Sequence, residues 1–366
     1  MALIVLVLVL ALVIISPFIT LPYYAVVPGQ AQSVQSLLHV PRGAATHVDG
    51  NVLLTDVGVN DVRLSDWIPD KLNSSTDLVK QVDLTGGLPV SEFEAQGTVD
   101  MEESQLTANA VALRQLGYVV PERDAGVTVY VIAPGSPAWT SLKIGDVITS
   151  IDGTPTTNPE ALYDAIQAHH PGDRVTLMVG SIAHPTPGHE VTVRLGSVKE
   201  DGHEVAFLGL GVPSSGIPSM GTQPSYQFPF EVQINSDNIG GPSAGLAFTL
   251  GILNSLSGGH LTGGRTVAAT GTIRPDGTVG DVGGVPQKTV AVERAHASVF
   301  LVPADELSEA QPLAGPGLRV FGVRNLTDAL KDLEQIGGQP GPAAKGPPPG
   351  PGGHSVPTDW QDSPWS

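Results

Sequence analysis

The side chains in this sequence best suited to hydrolytic chemistry are Ser243 and Lys288. Ser243 lies in the glycine-rich run Asn-Ile-Gly-Gly-Pro-Ser-Ala-Gly, and Lys288 follows downstream with no other lysine near it in the sequence. A serine hydroxyl is a poor nucleophile until a base takes its proton, and a lysine amine can be that base only when burial lowers its pKa. A hydroxyl and an isolated amine in this setting are what a Ser/Lys hydrolase requires.

The elements predicted around the two residues favour this chemistry. A helix is predicted over 243–256, and free N–H groups near Gly241 and Ser243 could bind a developing oxyanion. A second helix is predicted over 286–297, with Lys288 in its first turn, where the positive end of the helix dipole disfavours the charged amine. Two simpler interpretations stay open: Ser243 as a helix N-cap, and Lys288 as a solvated helix residue.

Two familiar motifs overlap these residues without fitting their surroundings. The Gly-x-Ser-x-Gly pattern around Ser243 also occurs in α/β-hydrolases, but there a strand runs directly into the turn. Here a loop separates the predicted apolar strand over 228–234 from the turn. Lys288 and Thr289 would fit a phosphate-binding loop only with glycines at 282 and 287, where the sequence has valine and glutamine. No nucleotide-binding site is predicted.

The serine and lysine segments are two of four blocks that lie between residues 228 and 335. These blocks are Gly241-Pro242-Ser243-Ala244-Gly245, Ala269-Thr270-Gly271-Thr272-Ile273, Gly283-Gly284 with Lys288 after it, and Val299-Phe300-Leu301-Val302-Pro303. Together they resemble the proteolytic domain of the Lon family, most closely the membrane-anchored Lon-like proteases that carry a PDZ domain and lack an ATPase. The resemblance implies that Ser243 is the nucleophile, that Lys288 is its general base and that Thr270 positions the lysine amine. Gly241 and Pro242 are the supporting residues of the serine segment.

The sequence departs from the ATP-dependent Lon proteases at one position. Those proteins usually carry an aspartate three residues before the serine, whereas this chain has Gly240. The change resembles the ATP-independent branch of the family, and it leaves open what lines that side of the serine.

Residues 115–198 resemble a PDZ domain of the bacterial protease type. The motif runs from Leu142 through Gly145-Asp146 to Ile148, and a helix is predicted over 159–168. Such a module binds an extended peptide as an extra strand beside a helix. The run Leu116-Gly117-Tyr118-Val119 is predicted to be the loop that faces the peptide carboxylate. The alternative is a module that only packs against the protease.

The N-terminus predicts a membrane anchor over residues 1–27. No charged residue precedes Arg42, and the apolar sequence through Leu21 has about the 20 residues that cross a hydrocarbon core. Tyr23 and Tyr24 would then lie at the membrane interface. The resemblance implies a single-pass protein of the cell membrane with its catalytic part outside the cytoplasm. A cleaved signal peptide is the competing interpretation.

Composition excludes several partners. Acidic residues outnumber basic ones 36 to 18, for a formal charge of −18, which argues against nucleic acid. Cysteine is absent, and the ten histidines show no metal-ligand spacing, so neither a metal nor another cofactor is predicted.

The predicted fold class is α+β: a transmembrane helix, a PDZ domain in the form of a small sandwich with helices, and a Lon-type α/β proteolytic domain over 199–336. The resemblance implies that residues 28–114 contribute a strand to that proteolytic domain. The Gly/Pro-rich tail over 337–366 is predicted to be disordered.

The predicted function is that of an ATP-independent serine endopeptidase whose PDZ domain binds or positions protein substrates. A homo-oligomer is possible. The alternative is a non-catalytic PDZ-containing membrane scaffold, and a hydrolase of small esters is a third option.

Overall fold

The computed structural model describes residues 2–40, 48–210, 218–236 and 239–339. The predicted disordered tail lies outside these residues except for its first three positions. There Gly338 N donates to Leu333 O at 2.9 Å and Gln339 N donates to His260 O at 2.9 Å. Residues 337–339 therefore belong to the folded C-terminal part.

The N-terminal part begins with an apolar helix and continues into long strands. Its elements are α1 (Ala2–Ile15), β1 (Thr20–Ser33), β2 (Leu38–His39), β3 (Asn51–Arg63), α2 (Trp67–Leu72), β4 (Asp77–Lys80), α3 (Gln81–Thr85) and α4 (Val90–Gln115).

The middle part is mostly antiparallel strand with one helix. Its elements are β5 (Glu122–Val129), β6 (Asp146–Ile151), β7 (Thr154–Pro155), α5 (Pro159–Gln167), β8 (Arg174–Ser181), β9 (His189–Arg194), β10 (Gly196–Glu200) and β11 (His203–Phe207).

The C-terminal part alternates strands and helices. Its elements are β12 (Met220–Tyr226), β13 (Gln233–Ile234), α6 (Gly245–Leu256), β14 (Thr266–Ala269), β15 (Thr272–Ile273), β16 (Val279–Gly280), α7 (Val285–Arg294), β17 (Val299–Pro303), α8 (Leu307–Ala310), β18 (Arg319–Val323) and α9 (Leu326–Gln335).

Helix α1 is shorter than the predicted membrane span. It ends at Ile15, a single 3-10 turn follows over Ser16–Phe18, and β1 begins at Thr20. Tyr23 and Tyr24 lie on β1, where they pair with β4, and so do not directly follow a helix. Within the described residues, no helix combines the length and apolar character needed to cross a bilayer. The continuous span expected within residues 1–27 is therefore corrected to a 14-residue helix followed by a strand.

A six-stranded mixed sheet joins the N-terminal and C-terminal parts, in the order β18-β17-β14-β3-β1-β4. Strands β3, β14, β17 and β18 run parallel, and β1 and β4 complete the sheet in antiparallel pairing. In the β3–β14 pair, Leu53 lies opposite Ala268. Chain segments on both sides of the middle part thus share one sheet.

Helices cover both faces of this sheet, because its strands alternate their side chains between two cores. One core joins Leu54 and Leu301 with α6 and α9. The other joins Leu53 and Phe300 with α7. Helix α6 is buried along almost its whole length, which explains its nearly uniform apolar sequence.

The middle part, together with β12, forms a second sheet with its own core. The order is β12-β5-β6-β8-β9, and helix α5 packs on it through Leu162 and Ile166. The predicted cap of this helix is present, since Asn158 Oδ1 accepts a hydrogen bond from Ala161 N at 2.9 Å.

The apolar spacing of the sequence also predicts helices over 61–72 and 101–116. These two helices and the predicted strand over 228–234 have different limits in the structure. The predicted helix over 61–72 is limited to α2, because β3 continues to Arg63. The predicted helix over 101–116 begins earlier, at Val90, and becomes the 26-residue α4. The predicted strand over 228–234 is reduced to β13, while Phe228 and Phe230 pack near the end of α4.

Candidate functional site

Ser243 lies in a tight turn that precedes helix α6. Residues Pro242–Ala244 form a 3-10 turn, and α6 begins at Gly245, two residues later than predicted. The Ser243 side chain is half-buried. We call residues Ile239–Gly245 the serine turn.

The backbone of the serine turn is held from helix α4. Gly241 adopts φ 88°, a conformation that residues with a Cβ rarely adopt, and its N–H donates to Gly97 O at 2.7 Å. That N–H is therefore occupied and is not available to an oxyanion. Within the described residues the Ser243 N–H has no protein acceptor, which leaves it as the available donor of the two expected.

The carbonyl side of Ser243 is fixed by the strand end that follows β14. Ser243 O accepts hydrogen bonds from Gly271 N at 2.9 Å and from Thr270 Oγ1 at 3.3 Å. Thr270 is fully buried at the end of β14. The hydroxyl of Thr270 consequently touches the backbone of the serine residue from the sheet side.

Lys288 lies in the first turn of α7, and its side chain is only 2% exposed. The helix starts after Gly284, whose φ is 70°, and Lys288 N donates to Gly284 O at 2.9 Å. Lys288 Nζ donates to Thr270 Oγ1 at 3.2 Å. The structure therefore connects Lys288 and Ser243 through one buried threonine hydroxyl.

Burial lowers the pKa of Lys288 to about 8, although the negative charges of Glu306 and Asp56 oppose this shift. Both carboxylates are engaged by backbone donors. Asp56 Oδ1 accepts from Gln30 N at 2.6 Å, and the Glu306 oxygens accept from Val282 N at 3.0 and 3.1 Å. Across the part of the chain that the structure describes, no salt bridge joins Lys288 to a carboxylate. A substantial neutral fraction of the amine is therefore present near pH 8.

A further contact on the serine turn escaped sequence-based prediction. Ser104 Oγ, on helix α4, donates to Pro242 O at 3.1 Å. The two residues are 138 positions apart, so no local pattern could reveal the contact. The only feature of the sequence that pointed to this region was the helix predicted over 101–116, which contains Ser104.

An apolar cleft of about 360 Å³ lies in the middle part, between α5 and the segment that follows β11. Gly209 in this segment has φ 98°, and a Cβ there would collide with Ser136. The cleft is lined chiefly by apolar and aromatic side chains, among them Leu162, Tyr163, Ile166, Phe207, Leu208 and Leu210.

The predicted carboxylate-facing loop, Leu116-Gly117-Tyr118-Val119, is not part of this cleft. Leu116 is buried in the core of the proteolytic part, and Tyr118 packs edge-on against Phe230 with ring centroids 5.2 Å apart. Val119 is 82% exposed. These residues follow the end of helix α4, and Leu116 and Tyr118 pack on the core that contains α6, away from the cleft. The segment after β11 follows residue 198, the predicted domain boundary, so the sequence prediction did not assign it to the PDZ domain.

Within the described ranges no three His, Asp or Glu side chains converge in a way that could hold a metal ion. The chemistry that this arrangement can support therefore uses the Ser243 hydroxyl, the Lys288 amine and backbone donors.

Two family models match this chain. Residues 114–180 match the PDZ domain, and residues 183–331 match the Lon protease (S16) C-terminal proteolytic domain. The second match includes Ser243, Thr270 and Lys288.

Similar curated proteins are much longer than this chain. A Lon protease of Ureaplasma parvum is 32% identical over 132 residues, which are 33% of this chain and 14% of that protein. A mitochondrial Lon protease homolog of Aspergillus niger is 28% identical over 232 residues, 58% of this chain and 20% of that protein. The chain thus spans a fifth or less of the length of these two relatives.

Among solved structures, the PDZ domain of an SdrC-like protein from Listeria monocytogenes is similar to part of this chain. The identity is 26%, with 23% of this chain and 84% of that chain covered, at a TM-score of 0.20.

Proposed function

Because the chain contains a PDZ domain and a proteolytic domain of the Lon (S16) family, we propose that it is an ATP-independent serine endopeptidase. Ser243 is the nucleophile and Lys288 the general base. One observation carries this proposal: Lys288 is buried with a lowered pKa and is hydrogen-bonded to Thr270, which also contacts the backbone of Ser243. A buried lysine without a carboxylate partner is costly to keep, and general-base catalysis is a function that needs it neutral.

The proposed reaction proceeds in two halves. Ser243 Oγ attacks the scissile carbonyl carbon while its proton passes to Lys288 Nζ, and the Ser243 N–H donates to the oxyanion. The carbon–nitrogen bond then breaks, and Lys288 returns the proton to the leaving amine. Water hydrolyses the acyl-enzyme with Lys288 again as the base. Thr270 holds the amine throughout.

The test is cleavage of an unstructured protein such as casein. Ser243→Ala and Lys288→Met should each reduce kcat by roughly 10³-fold or more, since the members of such a pair act as a unit. Matched controls are Ser308→Ala and Lys331→Met, both at exposed positions. If both site variants cleave casein at the wild-type rate, the assignment is wrong.

A wild-type protein that binds casein without cutting it would favour the scaffold alternative. A panel of peptides and small esters, compared at equal enzyme concentration, separates a peptidase from an esterase. Hydrolysis of the esters without cleavage of the peptides would contradict the proposed substrate class.

The apolar cleft beside α5 is the proposed binding site for an extended segment of the substrate. It supplies a helix with apolar side chains facing a strand segment, which is the arrangement that peptide addition uses. Tyr163→Ala should raise KM several-fold and leave kcat unchanged, whereas the exposed Glu160→Gln on the same helix should change neither. An unchanged KM in Tyr163→Ala would contradict this role.

We further propose that α1 attaches the protein to the cell membrane, with the catalytic part outside the cytoplasm. Supporting this, large apolar side chains of α1 are more than half exposed, Leu3 at 73% and Leu6 at 64% among them. Such a surface is unfavourable in water. Fractionation of cells that express the full chain tests attachment, and protease accessibility in intact cells tests the side. Recovery wholly in the soluble fraction would refute the anchor.

A further inference from the structure

Helix α4 contacts the serine turn with one face and the PDZ domain with the other. Gly97 and Ser104 are seven residues apart, which places them within about 20° of each other around the helix axis. Each residue advances the helix by about 100°, so Val99 and Leu106 point roughly the opposite way, and Glu103 points about 100° away from Ser104 toward that side. The contacts in the structure follow this division.

The first face determines the orientation of the peptide bond before Ser243. Pro242 O accepts from Gly245 N and from Ser104 Oγ, the latter at 3.1 Å. The carbonyl and the N–H of a trans peptide point in opposite directions, so two donors on Pro242 O also fix where the Ser243 N–H points. That N–H is the oxyanion donor of the proposed reaction.

The same face also supports the preceding glycines. Gly241 N donates to Gly97 O at 2.7 Å, and a Cβ at Gly240 would lie 3.4 Å from the Gly97 carbonyl. Helix α4 therefore occupies the side of the turn next to Gly240, where the ATP-dependent Lon proteases usually carry an aspartate.

The second face packs against the PDZ sheet. Val99 is buried in one cluster with Val147 of that sheet and with Ile182, which directly follows β8. Next to this cluster, Tyr130 Oη donates to the Glu103 carboxylate at 2.9 and 3.1 Å. The PDZ domain thus contacts α4 directly across the helix from the serine turn.

We propose that Gly97 and Ser104 are positioning residues for the nucleophile, and that the contact of the PDZ domain with the opposite face of α4 controls how well they do so. In this arrangement a change at the Glu103–Tyr130 contact moves the helix that orients the Ser243 N–H. The kinetic part of this inference rests on the proposed peptidase function, whereas the structural coupling does not.

The experiment measures amide hydrogen exchange in the serine turn of the full chain, together with kcat and KM on casein-derived peptides. Ser104→Ala removes one donor to Pro242 O, and Tyr130→Phe removes the hydroxyl that binds Glu103. Ser91→Ala, at an exposed position of α4, is the matched control. Both test variants should speed exchange in the serine turn severalfold. Each should lower kcat by roughly 10-fold with KM unchanged, less than the 10²–10³-fold that follows removal of an oxyanion donor itself.

Each outcome decides one proposal. Unchanged exchange in Ser104→Ala would overturn the positioning role, and unchanged exchange in Tyr130→Phe would overturn the coupling. If the wild-type chain cleaves no peptide, the proposed function fails, while the exchange measurement still decides the coupling. Should Ser104→Ala fail to fold, Gly97→Val places two methyl groups against the same turn and should give the same increase in exchange.

Discussion

Two buried ionisable side chains in different regions of the molecule respond to the same physical cause in opposite directions. Lys288 lies inside the proteolytic part, and burial lowers its pKa to about 8. Glu103 lies between α4 and the PDZ sheet, where burial, its largest influence, raises its pKa to about 7. Burial favours the neutral form in both cases. The difference is in the consequence: a neutral amine can accept a proton from a serine, whereas a neutral carboxyl only makes a domain contact more favourable.

The largest expected effect is on the pH dependence of turnover. Below a pKa of about 8, the neutral fraction of Lys288 falls about tenfold with each pH unit, so kcat should rise about 50-fold between pH 6 and pH 8 and level off above about pH 9. Initial rates on a peptide substrate from pH 6 to 9.5 measure this profile. An optimum on the acid side would exclude Lys288 as the base.

A smaller effect is expected on stability when Lys288 is replaced. Its folded pKa of about 8 lies below the ordinary value of 10.5, so the folded protein binds fewer protons between these values and its stability rises with pH across that window. Below pH 8 the amine is charged in both the folded and the unfolded protein, so the folded state bears the full free-energy cost of burying that charge. Lys288→Met should therefore raise the free energy of unfolding at pH 7 by up to about 3 kcal/mol.

Urea unfolding of Lys288→Met, the wild type and Lys331→Met at pH 7 checks this expectation. A loss of stability in Lys288→Met alone would show that the buried amine stabilises the fold. Burial would then not act on Lys288 and Glu103 in the same way.

The smallest effect is expected at Glu103. Its folded pKa of about 7 lies above the ordinary value of 4.5, so its contribution to stability is greatest below pH 4.5 and is lost as the pH rises to about 7. The desolvated group lies near Asp100 and Glu102, whose charges also raise its pKa, while hydrogen bonds from Tyr130 and Thr128 lower it. Glu103→Gln keeps an acceptor for Tyr130 and removes the charge.

Glu103→Gln should raise the free energy of unfolding by about 2 kcal/mol at pH 8, after allowance for partial exposure. At pH 4.5 the change should be near zero. Thermal unfolding at both pH values measures it, with Glu94→Gln at an exposed position of α4 as control. An equal gain at both pH values would mean that charge is not the cause.

Residues near each other in the sequence were the predictable part of the site. Ser243 and its glycines form one short turn, and Lys288 falls in the first turn of a helix that its own spacing predicts. Ser104 could not be found in this way, because its contact with Pro242 depends on the folded proteolytic part. The cleft segment after β11 escaped for a related reason, since it completes the PDZ domain from beyond the predicted boundary.

The N-terminus shows a different limit of sequence reasoning. Hydropathy alone treats residues through Leu21 as one apolar segment, whereas the backbone changes from helix to strand after Ile15. Pro17 lacks a backbone N–H, and the strand that follows finds partners in β3 and β4. Pairing across the sheet therefore overrode the local apolar pattern.

The pairing of β3 with β14 has a consequence for biosynthesis. The two strands are neighbours in the sheet, but Leu53 leaves the ribosome long before Ala268, and the whole PDZ domain is made in between. Domains generally fold as units during synthesis. The PDZ domain can therefore be complete while β3 still lacks its neighbour, and Ser243, Thr270 and Lys288 cannot come together until the last third of the chain has emerged.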